Sequence, residues 1–122
     1  MTRNTHALQP RLRLKAGDAI ALGPGKARLL ELIRQHNSIS AAARAMNMSY
    51  RRAWLLVDTM NSCFREPLVV TATGGPRGGG ASLSPLGERV LALYQDYEKA
   101  LAARPELAEL SALLATTGTQ EN

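Results

Sequence analysis

Cysteine, aromatic residues and long apolar runs are all scarce in this chain of 122 residues, and each scarcity excludes a class of protein. The single cysteine, Cys63, cannot form an intrachain disulfide or build a cysteine-based zinc site, and we expect it to be a small buried residue late in a helix. His6 and His36 lie far apart, with no carboxylate cluster near either. We therefore expect no metal site.

The remaining absences concern membranes and catalysis. No apolar run approaches the roughly 20 residues that a membrane-spanning helix needs, and residues 1–15 lack the apolar region of a secretory signal. We expect a cytoplasmic protein without membrane contact. No Ser/His/Asp, Cys/His or paired-carboxylate arrangement fits a catalytic site, so we expect neither an enzyme nor a bound cofactor.

Positive charge is concentrated in the first half of the chain. The net charge is +5, but residues 1–65 hold 11 basic and 3 acidic side chains, whereas residues 66–122 hold 4 basic and 7 acidic ones. A basic half joined to a mildly acidic half is expected when one face of a protein meets a polyanion. Many proteins are simply basic, so charge alone does not establish a nucleic-acid partner.

The residues before position 38 predict a strand and a helix. The first ten are polar and predict a flexible segment. Residues 11–15 alternate charged and apolar side chains, the pattern of a half-buried strand. Glycine and proline at 23–25 precede a predicted helix over residues 24–35, where leucines and Ile33 share one side.

Residues 38–64 predict two helices joined by a tight turn. Ser40 is the expected N-cap of a short helix ending at Met46, and Ser49 that of a helix ending near residue 64. Between them Asn47 stands where the turn needs a positive φ, which Asn tolerates well. We interpret this as a helix-turn-helix, although a helical hairpin that binds nothing has the same pattern.

A glycine-rich β-hairpin is predicted directly after the second helix. Residues 68–71 are rich in β-branched side chains, and residues 81–83 can be their partner. A hairpin at this place, carrying Arg77 near its tip, is typical of a winged helix. We expect the wing, residues 72–81, to contact the DNA backbone or the minor groove. A surface hairpin with an idle arginine is the alternative.

The same glycines resemble a nucleotide-binding loop only superficially. Gly75 and Gly80 have the separation of a phosphate-binding loop, but Ala81 stands where its lysine must be. The following helix begins at Ser84, too late to direct its N-terminus at the loop. We therefore expect no nucleotide site.

A long amphipathic helix follows the predicted wing. Ser84 as cap and Pro85 at the first helical position predict its start, and it ends near residue 103. Its apolar stripe exceeds what so small a core can use, which predicts a two-fold homodimer built on this helix; a cap over the wing sheet within one chain is the alternative. The predicted dimer contacts are Leu86, Val90, Leu93, Tyr94, Tyr97 and Leu101.

The predicted organisation is one domain with short ends. Residues 1–10 form the flexible segment, and residues 11–104 form the winged helix-turn-helix domain with its C-terminal helix. Residues 105–122 form a short terminal helix and a frayed tail. The fold class is mainly α with a small β wing.

Residues 38–94 carry a family resemblance. The motifs are SIS, MSYRRAW, MNS and ATGGPRGGGASLSPLGERVLALY. They resemble the N-terminal DNA-binding domain of the bacterial molybdate-responsive regulators of the ModE family, which is itself similar to LysR-type winged helices. The resemblance covers roughly residues 11–103. It implies a DNA-binding transcriptional regulator that acts as a homodimer on double-stranded DNA.

The second helix of the motif, residues 49–64, is the expected recognition helix in the major groove. Trp54 has two open roles, packing against the wing strands and contacting DNA, and Arg52 takes over base reading from Arg51 if the helix docks rotated by one position. A DNA-coating or architectural protein with little sequence preference is the alternative function. The expected DNA-binding residues are Ser49, Tyr50, Arg51, Arg52, Trp54 and Arg77.

Molybdate is not an expected partner. Full-length members of the family resemble this domain followed by a second half that binds molybdate. About 20 residues follow Arg104 here, too few for a ligand-binding domain. The resemblance therefore implies DNA binding and dimer formation but not oxyanion sensing.

Overall fold

The structure is a computed structural model that describes residues 7–72 and 80–115. Within these ranges the chain is mainly helical, as the sequence predicts, and it has two antiparallel pairs of short strands, of which the sequence predicts only the second. The elements in chain order are β1 (Leu14–Ala16), β2 (Ala19–Leu22), α1 (Pro24–His36), α2 (Ile39–Ala45), α3 (Tyr50–Cys63), β3 (Val69–Ala72), β4 (Gly80–Leu83), α4 (Pro85–Ala102) and α5 (Pro105–Ala112).

The N-terminal strand is shorter than the alternating pattern predicts, and its partner was not predicted. β1 begins at Leu14 and pairs with β2, and the chain reverses at Gly17, whose φ is +63°. Leu12 lies before the ladder because its carbonyl oxygen accepts a hydrogen bond from the Tyr94 hydroxyl (2.7 Å) instead of from a strand. The turn residues Gly17 and Asp18 are the signal that could have revealed β2.

The core lies where α1, α2 and α3 meet the two strand pairs. Leu29, Leu30 and Ile33 of α1 are fully buried, as the periodicity predicts. No helix among the described residues is long and apolar enough to cross a membrane. Asn37 ends α1 in the left-handed region at φ 54°, and its carbonyl oxygen accepts a hydrogen bond from the Ala81 N–H of β4 (3.1 Å).

The predicted N-cap of α2 is wrong by two residues. The cap is Ser38, whose hydroxyl oxygen accepts a hydrogen bond from the Ala41 N–H (3.0 Å), whereas Ser40 lies inside the helix. The physical reason is the position of Ile39, which is buried in the core. A helix starting at Ile39 places this side chain in the core and leaves Ser38 in the extended conformation that a cap requires.

The β3–β4 hairpin and α4 are joined through the backbone of Leu68. The predicted cap of α4 is confirmed: the Ser84 hydroxyl oxygen accepts from the Gly87 N–H (2.9 Å) and the same hydroxyl donates to the Pro67 carbonyl (2.7 Å). The Ser84 N–H donates to the Leu68 carbonyl (2.9 Å). Gly87 is buried directly against that carbonyl.

Tyr94 belongs to the core of the single chain. Its side chain is 2% exposed, and its hydroxyl donates to the Leu12 carbonyl, which ties the N-terminal segment to α4. Burial, followed by the nearby Glu98 carboxylate, raises the pKa of Tyr94 to about 12. The neutral phenol therefore stays in place across the physiological range.

The described part of the N-terminal segment lies against α5. The Leu8 N–H donates to the Ser111 hydroxyl (2.9 Å), and residues 7–10 border a shallow apolar groove with α4 and α5. α5 itself buries no side chain, and Leu110 and Leu113 are exposed. Flexibility of residues 1–10 stays a prediction.

The contact between Gly87 and Leu68 predicts a large effect of one added methyl group. A Cβ at Gly87 would lie 3.0 Å from the Leu68 carbonyl carbon and closer still to its oxygen, so that two backbones must move apart. Gly87→Ala is expected to lower the free energy of unfolding by about 1–3 kcal/mol. Gly25→Ala is the matched control in α1, where a Cβ meets nothing within 4 Å. Urea denaturation of both variants measures the difference, and equal stabilities would contradict the packing described here.

Candidate nucleic-acid interface

The turn between α2 and α3 sets the direction of α3. Asn47 has φ +58°, as the sequence predicts. The Asn47 N–H donates to the Arg44 carbonyl (3.0 Å) and the Met48 N–H to the Ala43 carbonyl (3.0 Å). This pair of bonds is a Schellman motif, which ends α2 within one residue and frees the chain to start α3 at once.

α3 presents a polar and basic N-terminal end to solvent. Ser49 is its N-cap, as predicted, and its hydroxyl oxygen accepts from the Arg52 N–H (3.0 Å). Tyr50, Arg51 and Arg52 are exposed in the first turn. Neither arginine forms an ion pair with another residue in the ranges that the structure describes. Both guanidinium groups are therefore available to an anionic partner, next to the positive end of a helix dipole.

Further along α3, a buried face lies opposite an exposed one. Ala53, Val57 and Met60 are fully buried, as the spacing of apolar residues predicts. Arg51, Leu55 and Asp58 are exposed on the outward face. Arg51 thus shares a face with side chains further along the helix, whereas Arg52 lies beside it.

Tyr50 and Trp54 line a groove between α3 and the hairpin. Their rings meet edge to face, with centroids 6.3 Å apart and planes at 80°. Trp54 is half-buried against the core, and the groove is completed by Ser38 at the start of α2 and by the adjoining ends of β3 and β4. Trp54 therefore packs at the edge of the core, and its contact with DNA stays a prediction.

Asn61 fixes the hairpin to α3. Its side-chain oxygen accepts from the Leu68 N–H (2.8 Å) and the Val69 N–H (3.1 Å), and its amide nitrogen donates to the Val69 carbonyl (3.1 Å). The sequence pattern predicts no role for Asn61, although the MNS motif contains it. A polar residue on the flank of the apolar stripe of a helix, directly before a strand, is the signal that could have identified it.

The predicted hairpin forms, with Val69 opposite Leu83 and Ala72 opposite Gly80. Arg77, the predicted wing contact, lies outside the described residues, as does most of the predicted wing, residues 73–79. Among the described residues no three metal-ligating side chains come together.

The structure divides the predicted dimer stripe of α4 into two parts. Tyr94 faces the core of its own chain, as does Leu91, which the stripe did not include. Leu86 and Val90 pack against the edge of the core, and Leu101 is half-buried. Leu93 and Tyr97 are each about half exposed (50% and 52%). These two residues are the part of the stripe that a partner could cover.

No protein-family model matches the chain, but curated relatives do. The molybdenum transport protein ModE of Azotobacter vinelandii is 41% identical over 95 residues, which are 75% of this chain and 35% of the relative. The transcriptional regulator ModE of Haemophilus influenzae is 38% identical over 97 residues, 80% of this chain and 37% of the relative.

The third relative is the DNA-binding transcriptional dual regulator ModE of Escherichia coli K12, 39% identical over 83 residues, 68% of this chain and 32% of the relative. The chain thus spans about a third of the length of the curated relatives it matches. The fold and the site define a small, mainly helical domain with basic residues at the N-terminal end of one helix. Over most of its length the chain is thus similar to ModE regulators, and the resemblance seen in the motifs is confirmed.

The Asn61 bonds predict that the hairpin and α3 are coupled. Asn61→Ala leaves the buried Leu68 N–H and the Val69 backbone without their partner, which is expected to lower the free energy of unfolding by about 1–3 kcal/mol. Ser62→Ala is the control, because that hydroxyl only donates to the Asp58 carbonyl of its own helix (2.9 Å). Denaturant titration that shows the same stability for both variants would refute the anchoring role.

Proposed function

We propose that the chain is the DNA-binding part of a sequence-specific transcriptional regulator and that it binds as a winged helix-turn-helix. The observation that carries the proposal is the end of α3, where Tyr50, Arg51 and Arg52 are exposed directly after a tight turn between two packed helices. Helices in this arrangement enter the major groove with their N-terminal residues at the base edges. The names of the ModE relatives from Haemophilus influenzae and Escherichia coli support a regulatory role.

The proposed docking uses each part of the site differently. α3 lies in the major groove, where the planar guanidinium of Arg51 can bond to guanine O6 and N7. Ser49, Tyr50 and Trp54 lie toward the sugar-phosphate backbone, and Arg52 takes the base contact if α3 docks rotated by one position. The wing carries Arg77 to a phosphate or the minor groove; this part of the proposal rests on the sequence.

The distribution of charge along the chain also supports a polyanionic partner. Residues 1–65, which contain α1, α2 and α3, hold 11 basic and 3 acidic side chains. The excess of positive charge supplies the sequence-independent part of DNA affinity. A coating protein needs nothing more. The exposed Arg51 on the outward face of α3 favours base reading over coating, since a guanidinium presented from a helix in the major groove can bond to guanine O6 and N7.

A second copy of the chain completes the proposal. Leu93 and Tyr97 leave apolar surface exposed on α4, although Tyr94 does not. Two copies joined along α4 would present two recognition helices to two half-sites, as two-fold regulators do. Catalysis plays no part in this proposal.

Base reading by Arg51 predicts that its loss weakens binding to the preferred base and changes binding to the other bases little. Arg51→Ala is expected to remove about 1–3 kcal/mol of discrimination at one base position in each half-site. Binding of duplexes selected from a random library, measured with each base varied, detects this change. Arg104→Ala is the control. Arg104 forms an ion pair with Glu106 (2.8 Å) at the start of α5, away from α3.

The same measurement separates the two functions. Regulators bind their sites typically 10³-fold or more above unrelated DNA, and a ratio below about 10 for the wild-type chain would favour the coating function instead. Unchanged base preference in the Arg51→Ala variant would show that another residue reads the sequence.

If two copies of the chain join along α4, one charged side chain placed on the exposed apolar surface should dissociate the dimer. Leu93→Asp places a carboxylate on the exposed apolar surface, so that the variant is expected to sediment as a monomer and to bind DNA more weakly. Ala92→Asp is the control, since Ala92 is exposed on a different side of α4. A wild-type chain that sediments as a monomer at micromolar concentration would exclude the dimer.

A further inference from the structure

Leu55 is an apolar side chain on the polar, outward face of α3. It is 55% exposed, and it does not belong to the core or to the partly buried residues packed against it. It lies four residues after Arg51 and three before Asp58, so that the three side chains share one face. In the single chain this leucine therefore contributes little to stability.

The surroundings of Leu55 are less polar than the sequence suggests. Thr59 and Ser62 follow on α3, and their hydroxyls donate to the carbonyls of Leu55 (3.0 Å) and Asp58 (2.9 Å) in the preceding turn. The protons of both hydroxyls are thus used within the helix, and neither hydroxyl has a proton left to donate to a phosphate. The middle of the outward face presents the isobutyl group of Leu55. Surfaces that bind phosphate present hydrogen-bond donors and cations instead.

Asp58 limits what this part of α3 can approach. Its carboxylate is exposed one turn beyond Leu55, and a phosphate brought against it would be repelled. The middle of α3 therefore fits over the floor of a groove better than against the backbone at its edge. The floor of the major groove carries one apolar group, the C5-methyl of thymine.

We infer that Leu55, which lies about one helical turn after Arg51 on α3, reads a thymine through this methyl group. The inference rests on the proposed function, in which α3 lies in the major groove. The contact adds specificity because the other three bases have no methyl group at this position. On the same face of α3, Arg51 thus reads one base by hydrogen bonds and Leu55 reads another by apolar contact.

The test removes the methyl group from the DNA rather than from the protein alone. Duplexes are selected by the wild-type chain from a random-sequence library, and each thymine is then replaced, one at a time, by deoxyuridine, which lacks the methyl. We expect one thymine in each half-site whose replacement weakens wild-type binding about fourfold, the effect of one buried methyl group. For Leu55→Ala the same replacement should change nothing.

Leu110→Ala is the matched control, since Leu110 is equally exposed (54%) but lies in α5. This variant should keep the fourfold dependence on the methyl group. Melting curves of Leu55→Ala should match those of the wild type, because the side chain is outside the core.

The outcomes distinguish the inference from the proposed function. If specific duplexes are selected but no thymine replacement weakens binding, or if Leu55→Ala keeps the dependence, Leu55 does not read thymine and the proposed function stands. If the wild-type chain selects no sequence at all, both are wrong. If Leu55→Ala binds every duplex as tightly as the wild type does, Leu55 makes no contact with DNA and the inference is wrong.

Discussion

The site depends first on the close approach of α2 and α3, which small side chains make possible. Ala42, Ala43 and Ala53 are buried with almost no exposed surface where the two helices meet. A larger side chain at any of them would force the helices apart, at the cost of strain in a packed core. The left-handed residue Asn47 closes the corner. Together they fix the direction of α3, and with it the exposure of its basic end.

A second joint holds the other end of α3. Asn61 bonds to the backbone of Leu68 and Val69, and the Leu68 carbonyl in turn meets Ser84 and Gly87 of the α4 start. α3, the hairpin and α4 are therefore linked through a few buried backbone groups. A surface held in this way loses little conformational freedom on binding, which favours affinity and precise base contacts.

Local signals in the sequence were sufficient for much of the fold. Ser49, Ser84 and Pro85 mark helix starts, and Asn47 marks a turn, because each acts on backbone groups within three residues. The SIS motif failed as a signal because either serine can cap. The choice fell to the burial of Ile39, which is a tertiary contact.

The remainder depended on contacts between distant residues. The helical period of 3.6 residues places Leu93 and Tyr94 on one apolar stripe. It does not determine whether each side chain faces the core of its own chain or another chain. The Tyr94 bond to Leu12 spans most of the chain, and it also shortens the predicted first strand. For the site, the face of Arg51 and Leu55 followed from helical spacing, whereas the anchoring role of Asn61 required the position of β3.

In the proposed complex α3 lies in the major groove with its basic end at the bases. Dimethyl sulfate footprinting tests it most directly, since the reagent methylates guanine N7 in the major groove and adenine N3 in the minor groove. On a duplex selected by the protein, we expect protection of guanine N7 in two patches about one helical turn apart. Guanine N7 that reacts equally with and without protein, on a duplex that is bound, would show that α3 does not lie in the major groove.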